Sequence, residues 1–312
     1  MVEGGMMARN AKFSSLKMSA GLLLLSAVVL LAILAPLYAP YDSTLSPLAV
    51  DLDLLNAPPF TKGHLLGTDL LGRDILGQAM WGARASLIVG ILAATIAVSF
   101  GSLWGAVSAF FGGPVDSLMM RAVDGLLSIP NIVLMLAINS FLQAQQVVGS
   151  LPAWLLDSLH VTAYSSGLLP LITVIFVISA TTWLEAARIA RARIKSVLVE
   201  EYVTAAKAIG VGARRMLARH LLPNAAPVIF VEATLLISDA VLMEAGLSYL
   251  GLGLGPATPS WGTMLTSAQE SLIQGNWWTV LVPGLLITVT VMAVNLIGDS
   301  WLDATGGQGR MS

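Results

Sequence analysis

Residues 85–115 contain no Asp, Glu, Lys or Arg, and the same holds for 18–41, 125–156, 158–184 and 271–298. An ionised group at mid-bilayer costs several kcal/mol, and a helix of about 20 apolar residues crosses the hydrocarbon core. Each charge-free stretch is therefore a candidate span. A sixth, about residues 228–247, is apolar apart from Glu232, Asp239 and Glu244. Only 11% of the 312 residues are charged, where soluble domains carry about 25%, and the mean hydropathy is +0.81. That is too little charge to cover a fold of this size in water. The expected fold class is an all-α integral membrane protein with six transmembrane helices.

The net charge of −2 argues against nucleic-acid binding through bulk positive charge. The absence of cysteine excludes disulfides, thiolate chemistry and Cys-ligated zinc. Arg9, Lys12 and Lys17 precede the first apolar run, as they would a cleaved signal peptide, but that run exceeds the usual 7–15 residues. It reads as an anchor and first span.

Six spans put both termini on one side. Arg9, Lys12, Lys17, Arg121, Arg188, Arg191, Arg193, Lys195, Lys207, Arg214, Arg215, Arg219 and Arg310 then share that side, leaving Lys62, Arg73 and Arg84 opposite. Basic residues concentrate in cytoplasmic loops, so both termini are expected there. The resulting organisation is a cytoplasmic tail at 1–19, a first helix at 20–39 and an extracytoplasmic segment at 40–83. A core of five helices follows at 84–303, with a cytoplasmic loop at 186–227, and then a tail at 304–312.

That inner loop is the most patterned polar segment. Val199, Tyr202 or Val203, Ala206 and Ile209 recur every three or four residues, giving a short helix an apolar face. Gly210 supplies a stop, and a second short helix from about Ala213 carries Arg214, Arg215 and Arg219 and ends at Pro223. A basic loop lying on anionic lipid accounts for the arginines. It does not account for a helix of small apolar residues closing on glycine, which suits a groove on another protein.

Thr204-Ala205-Ala206, then Gly210, then His220-Leu221-Leu222-Pro223 resembles the EAA loop of permease subunits in binding-protein-dependent ABC importers. Thr204 stands where the family has Glu, and His220 where it has Ile. The segments His64–Asp69, Gly72-Arg73-Asp74, Gly82–Leu87, Glu244–Gly253, Pro259–Leu265 and Asn295–Asp299 are similar to the dipeptide, oligopeptide and nickel branch, in its second, C-type chain. The family's usual tail is present only as Trp301–Thr305.

The resemblance implies a type I ABC importer transmembrane fold in the inner membrane. It implies a coupling helix, with Tyr202, Thr204, Ala205, Ala206, Lys207, Gly210, Arg215, His220, Leu222 and Pro223 in the docking loop. It also implies four partners besides lipid: a homologous second permease, two cytoplasmic ATPases and an extracytoplasmic binding protein. ATP and Mg would be bound by the ATPases, with no cofactor in this chain, and the cargo would be di- or oligopeptides, with nickel or another small solute as the alternative.

The residues themselves offer no engine. No Gly-rich loop ends in Lys-Ser or Lys-Thr, and Gly251, Gly253 and Gly255 precede Pro256 and read as a turn. His64, His160 and His220 are scattered, so no metal site is expected, and Ser248 lies outside a nucleophile elbow. No catalytic residue is expected. Glu232 and Asp239, seven residues apart, share a helix face about 10 Å apart along the axis, with Glu244 rotated to the side. Ionisable groups in a span face a pathway or a partner, so these three are the candidate path residues, Asp239 being nearest mid-span. An autonomous ion-coupled transporter is the competing class, although no inverted repeat is visible.

Three further expectations concern packing. Gly101, Gly105 and Ala109 form a small-residue stripe suited to close helix contact. Pro130 and Pro283 should kink their helices. Trp261, Trp277 and Trp278 should sit in an aromatic belt.

Overall fold

The structure, a computed structural model, describes residues 2–143 and 168–306, with side chains from 15–142 and 169–303. Asp157, His160, Arg310 and the side chains of Arg9 and Lys12 lie outside the described residues. In chain order the helices are α1 (Val2–Tyr38), α2 (Ile75–Phe111), α3 (Gly113–Leu127), α4 (Asn131–Gln143) and α5 (Leu168–Leu198), followed by α6 (Glu201–Ala208), α7 (Ala213–Met216), α8 (Leu222–Tyr249), α9 (Trp261–Ile273) and α10 (Trp278–Gly306).

Five helical stretches are long and apolar enough to cross a membrane: Ser15–Tyr38, Ile75–Phe111, Leu169–Leu198, Ala213–Tyr249 and Trp278–Asp303. A sixth is obtained if α3 and α4, bent by 87° at a short break, count as one. Pro130 sits in that break and precedes α4, where its missing N–H costs nothing. Pro283, by contrast, lies inside α10 without ending it.

α2 and α8 are the central helices. α2 packs along α5 through the small stripe: a Cβ on Gly101 would lie 2.5 Å from the carbonyl oxygen of Trp183. The backbones touch because nothing projects between them. Ala109 extends the same seam into a cluster with Ile194, Val203 and Met216. On the other side, Ser238 of α8 donates to Asn295 of α10 at 2.9 Å, and α1 lies against α10 with Gly21 on the Ala293 backbone.

The first long connection ends earlier than its charge pattern suggests. Asp74 accepts from the Gly77 N–H at 2.6 Å and caps α2, so the helix begins at Ile75 rather than near Arg84. The segment before it is tied down by buried polar bonds. His64 Nδ1 lies 2.8 Å from Asp74, and Asp69 receives Arg73 Nε at 2.8 Å and Gln78 at 3.0 Å.

Trp261 is not in an aromatic belt. It is the first residue of α9 and fully buried, in a cluster with Ala79, Ala83 and Met264, and its indole N–H donates to the Ala79 carbonyl at 3.1 Å. An indole that finds a backbone acceptor in the core has no need of the interface. Trp277, 57% exposed, does project outward.

Candidate functional site: the α6–α7 hairpin and the carboxylates of α8

α5 runs on to Leu198, and only two residues separate it from the start of α6 at Glu201, so the hairpin is mounted directly on the end of a long helix. The apolar periodicity of α6 divides into two faces. Val203 and Ala206 turn inward and pack with Ile194, Met216 and Leu221. Val199, Tyr202 and Ile209 turn outward, at 79%, 44% and 82% exposure. Burial of the inner face holds the hairpin in shape, which frees the outer face for contact. Thr204, Ala205 and Lys207 share the exposed side.

Gly210 closes α6 with φ +81, a left-handed conformation that side-chain-bearing residues rarely adopt. Beyond it a hollow of about 920 Å³ opens between Ile209, Gly210, Arg214, Arg215 and Arg219. Among the described residues none of these three arginines has a carboxylate partner. The tip is therefore apolar and bordered by cations without carboxylate partners among the described residues.

The second helix of the hairpin does not stop at Pro223. α7 passes through a π-helical turn, Leu217–Leu221, into α8. Pro223 falls in the first turn of α8, where proline is tolerated. The wider turn leaves His220 partly buried and its carbonyl receives the Asn224 side-chain amide at 2.6 Å. Leu222 packs on the hairpin cluster. α7, the π-helical turn and α8 thus form one continuous helical stretch, Ala213–Tyr249.

The three carboxylates of α8 part company. Glu244 is fully buried and accepts from Ser86 at 2.9 Å, Ser248 at 2.8 Å and Ser260 at 2.8 Å. These hydroxyls come from α2, α8 and the cap of α9, so Glu244 is a packing knot enclosed by its own chain. Asp239 is exposed, with no hydrogen bond or ion pair among the described residues. Glu232 is buried at 7% exposure, within electrostatic reach of Asp239 and of Glu185 on α5. Glu185 was not legible as part of this group, because Glu232, which it reaches, is 47 positions away in the chain.

Sequence reading also missed Asp116. Its carboxylate gathers Arg191, Lys195 and Ser108 at the hairpin end of α5. The i,i+4 spacing of Arg191 and Lys195 was the available signal.

Long apolar helices around α2 and α8, with a helical hairpin mounted on α5, define a membrane permease component. Residues 97–305 match the family described as binding-protein-dependent transport system inner membrane component. The chain belongs to that family, a multi-pass inner-membrane transport subunit of ABC importers. It is 36% identical over 289 residues to a di/tripeptide transport system permease protein of Pseudomonas aeruginosa, covering 91% of this chain and 86% of the relative. It is 34% identical to a putative peptide permease protein of Brucella suis, over 96% and 90% of the two chains. An oligopeptide transport system permease protein of Bacillus subtilis is 33% identical, over 94% and 86%.

Proposed function

We propose that this chain is one half of the transmembrane path of an ATP-driven peptide importer. A homologous, non-identical permease supplies the other half. Two cytoplasmic ATPases bind ATP and Mg and grip the α6–α7 hairpin, and an extracytoplasmic binding protein delivers di- or oligopeptides. In this reading α3 and α4 count as one of six spans and both termini and the hairpin are cytoplasmic, which the distribution of basic residues supports.

The observation that carries this reading is the hairpin itself. Its inner face is sealed by Val203 and Ala206 while Ile209 stands 82% exposed at the tip. An apolar side chain in that position gains its stabilisation from a partner. For the ATPase to drive transport, the docked tip must contact it differently in the nucleotide-bound and nucleotide-free states. α8 continues from the hairpin, so displacement of the tip reaches Glu232 and Asp239. Asp239, unpaired on an apolar helix, faces the path and meets the ammonium group of the cargo.

The test is reconstitution in proteoliposomes with the sister permease, both ATPases and the receptor. ATP-dependent accumulation of a dipeptide supports the reading. Accumulation by this chain alone under an ion gradient replaces it with a secondary transporter. Accumulation of nickel or another small solute, with peptides excluded, keeps the architecture and changes the cargo.

A further inference from the structure

At the hairpin end, one carboxylate is saturated by side chains from two other helices. Asp116, in the first turn of α3, is 7% exposed. Its Oδ1 accepts from Arg191 Nε at 2.5 Å and from Ser108 Oγ at 2.6 Å. Its Oδ2 accepts from Arg191 Nη2 at 2.7 Å and Lys195 Nζ at 2.7 Å. A carboxylate offers about four lone-pair positions, and all are used. Ser108 belongs to the last turn of α2, and Arg191 and Lys195 to the last turns of α5.

The placement matters because of what joins these helices. α2 and α3 meet at Gly112 and Gly113, whose φ values of +63 and +50 lie in the left-handed region, with open space around both, so the chain turns here on two glycines and no side chain braces the corner. α3 is mostly exposed, but Met120 and Val123 on its inner face pack on Leu184 and Ala187 of α5, and Arg188 of α5 pairs with Asp124. That pair is about half exposed on both sides and is worth little on its own. At its far end α3 turns by 87° into α4, and Asn139 of α4 donates to the Leu252 carbonyl beyond the end of α8 at 2.6 Å. α5 leads straight into the hairpin. Asp116 is thus where the helix bearing the hairpin is fixed to a helix that meets α2 at a glycine corner and leads into the membrane.

We propose that Asp116 is a positioning residue for transport: it makes α3, and with it α4, move as one body with the hairpin. The proposal rests on the hairpin being the point where the ATPases push. Without the four bonds, only the small apolar contact of Met120 and Val123 and the exposed Arg188–Asp124 pair would tie α3 to α5, and α3 would follow the hairpin less closely.

Asp116→Asn is the direct test, because its amide turns an NH2 toward Arg191 or Lys195 while keeping the size. In the complete reconstituted transporter, spin labels are placed on Leu118→Cys in α3, 73% exposed, and on Ile209→Cys in the hairpin, each read against a label on the sister permease. In the unsubstituted chain both labels should shift on nucleotide binding. In Asp116→Asn the hairpin label should shift and the α3 label should shift less, with ATP hydrolysis retained and peptide moved per ATP reduced about tenfold. Asp116→Glu should restore both. If Asp116→Asn fails to assemble, Lys195→Gln, which leaves the Arg191 pair in place, should show the same separation in weaker form. An α3 label that follows the hairpin in these variants, with transport per ATP unchanged, overturns the role of Asp116 alone. A hairpin label that never responds to nucleotide in the unsubstituted complex overturns the coupling reading and this one with it.

Discussion

Gly105 of α2 lies against the backbone of α5 so closely that a Cβ would sit 2.7 Å from the Arg191 nitrogen and closer still to the Ala187 carbonyl oxygen. The seam it forms is what places Ser108, Arg191 and the root of the hairpin side by side. Gly105→Val should separate α2 from α5, and overpacking of this kind costs about 1–3 kcal/mol or more. The expected result is loss of the assembled complex on size exclusion and a lowered melting temperature, whereas Gly125→Val, at a site with open space, should leave both unchanged.

The hairpin tip separates docking from folding. Ala206 is buried in the hairpin, so a charge there breaks the hairpin as well as any contact it makes. Ile209 is free of that ambiguity. Ile209→Glu should insert and assemble normally yet lose about tenfold in peptide uptake per ATP, within the usual span of coupling energies. Uptake and phosphate release measured on the same vesicles give the ratio.

Asp239 carries the expectation for the path. Asp239→Asn should preserve assembly and basal ATP hydrolysis while lowering both peptide uptake and receptor-stimulated hydrolysis. Uptake assays with the purified complex decide it, since unchanged rates would remove Asp239 from the route.

Glu244 should behave as a structural residue. Glu244→Leu strands the hydroxyls of Ser86, Ser248 and Ser260, and an unsatisfied buried donor costs about 1–3 kcal/mol. Thermal melting should fall by several degrees. Glu244→Gln, which keeps an acceptor, should fall less.

The connection before α2 has its own pH signature. Burial pushes the Asp74 carboxyl above its ordinary value, against the opposing hydrogen bonds from Gly77 and His64. The folded form therefore holds its proton more tightly than the unfolded one. Its stabilising contribution is complete below about pH 3.9 and is lost as pH rises through the raised value. Residues 40–74 should resist proteolysis better in mild acid than at neutral pH, and Asp74→Asn should flatten that slope.

Four of the five long apolar helices were legible because the cost of burying charge writes them as gaps, as between Arg84 and Asp116, whereas the 125–156 gap met the bent α3–α4 pair and α8 carries three carboxylates. Gly101 and Gly105 announced close packing by their four-residue spacing. The inner and outer faces of α6 were not separable, since Val203 and Ile209 are equally apolar and only tertiary contact tells them apart. Trp261 looked like an interfacial residue because sequence does not reveal that the Ala79 carbonyl waits for its N–H. The α7–α8 junction was hidden for a similar reason: a proline normally marks a stop, and the π-helical turn that carries the chain past Pro223 leaves no local signature. Asp116 was legible only as the end of a charge-free stretch, with its partners 75 and 79 positions away in the chain.

The chain contains no cysteine, so Ile209→Cys is a unique thiol at the hairpin tip. Cross-linking from it in the complete complex, alongside labelling of intact cells with a membrane-impermeant thiol reagent, tests the central claim most directly. The thiol should join to the nucleotide-hydrolysing subunit, more efficiently in one nucleotide state than the other, and should be silent to the external reagent. Labelling from outside, or cross-links that never include an ATPase, would contradict it.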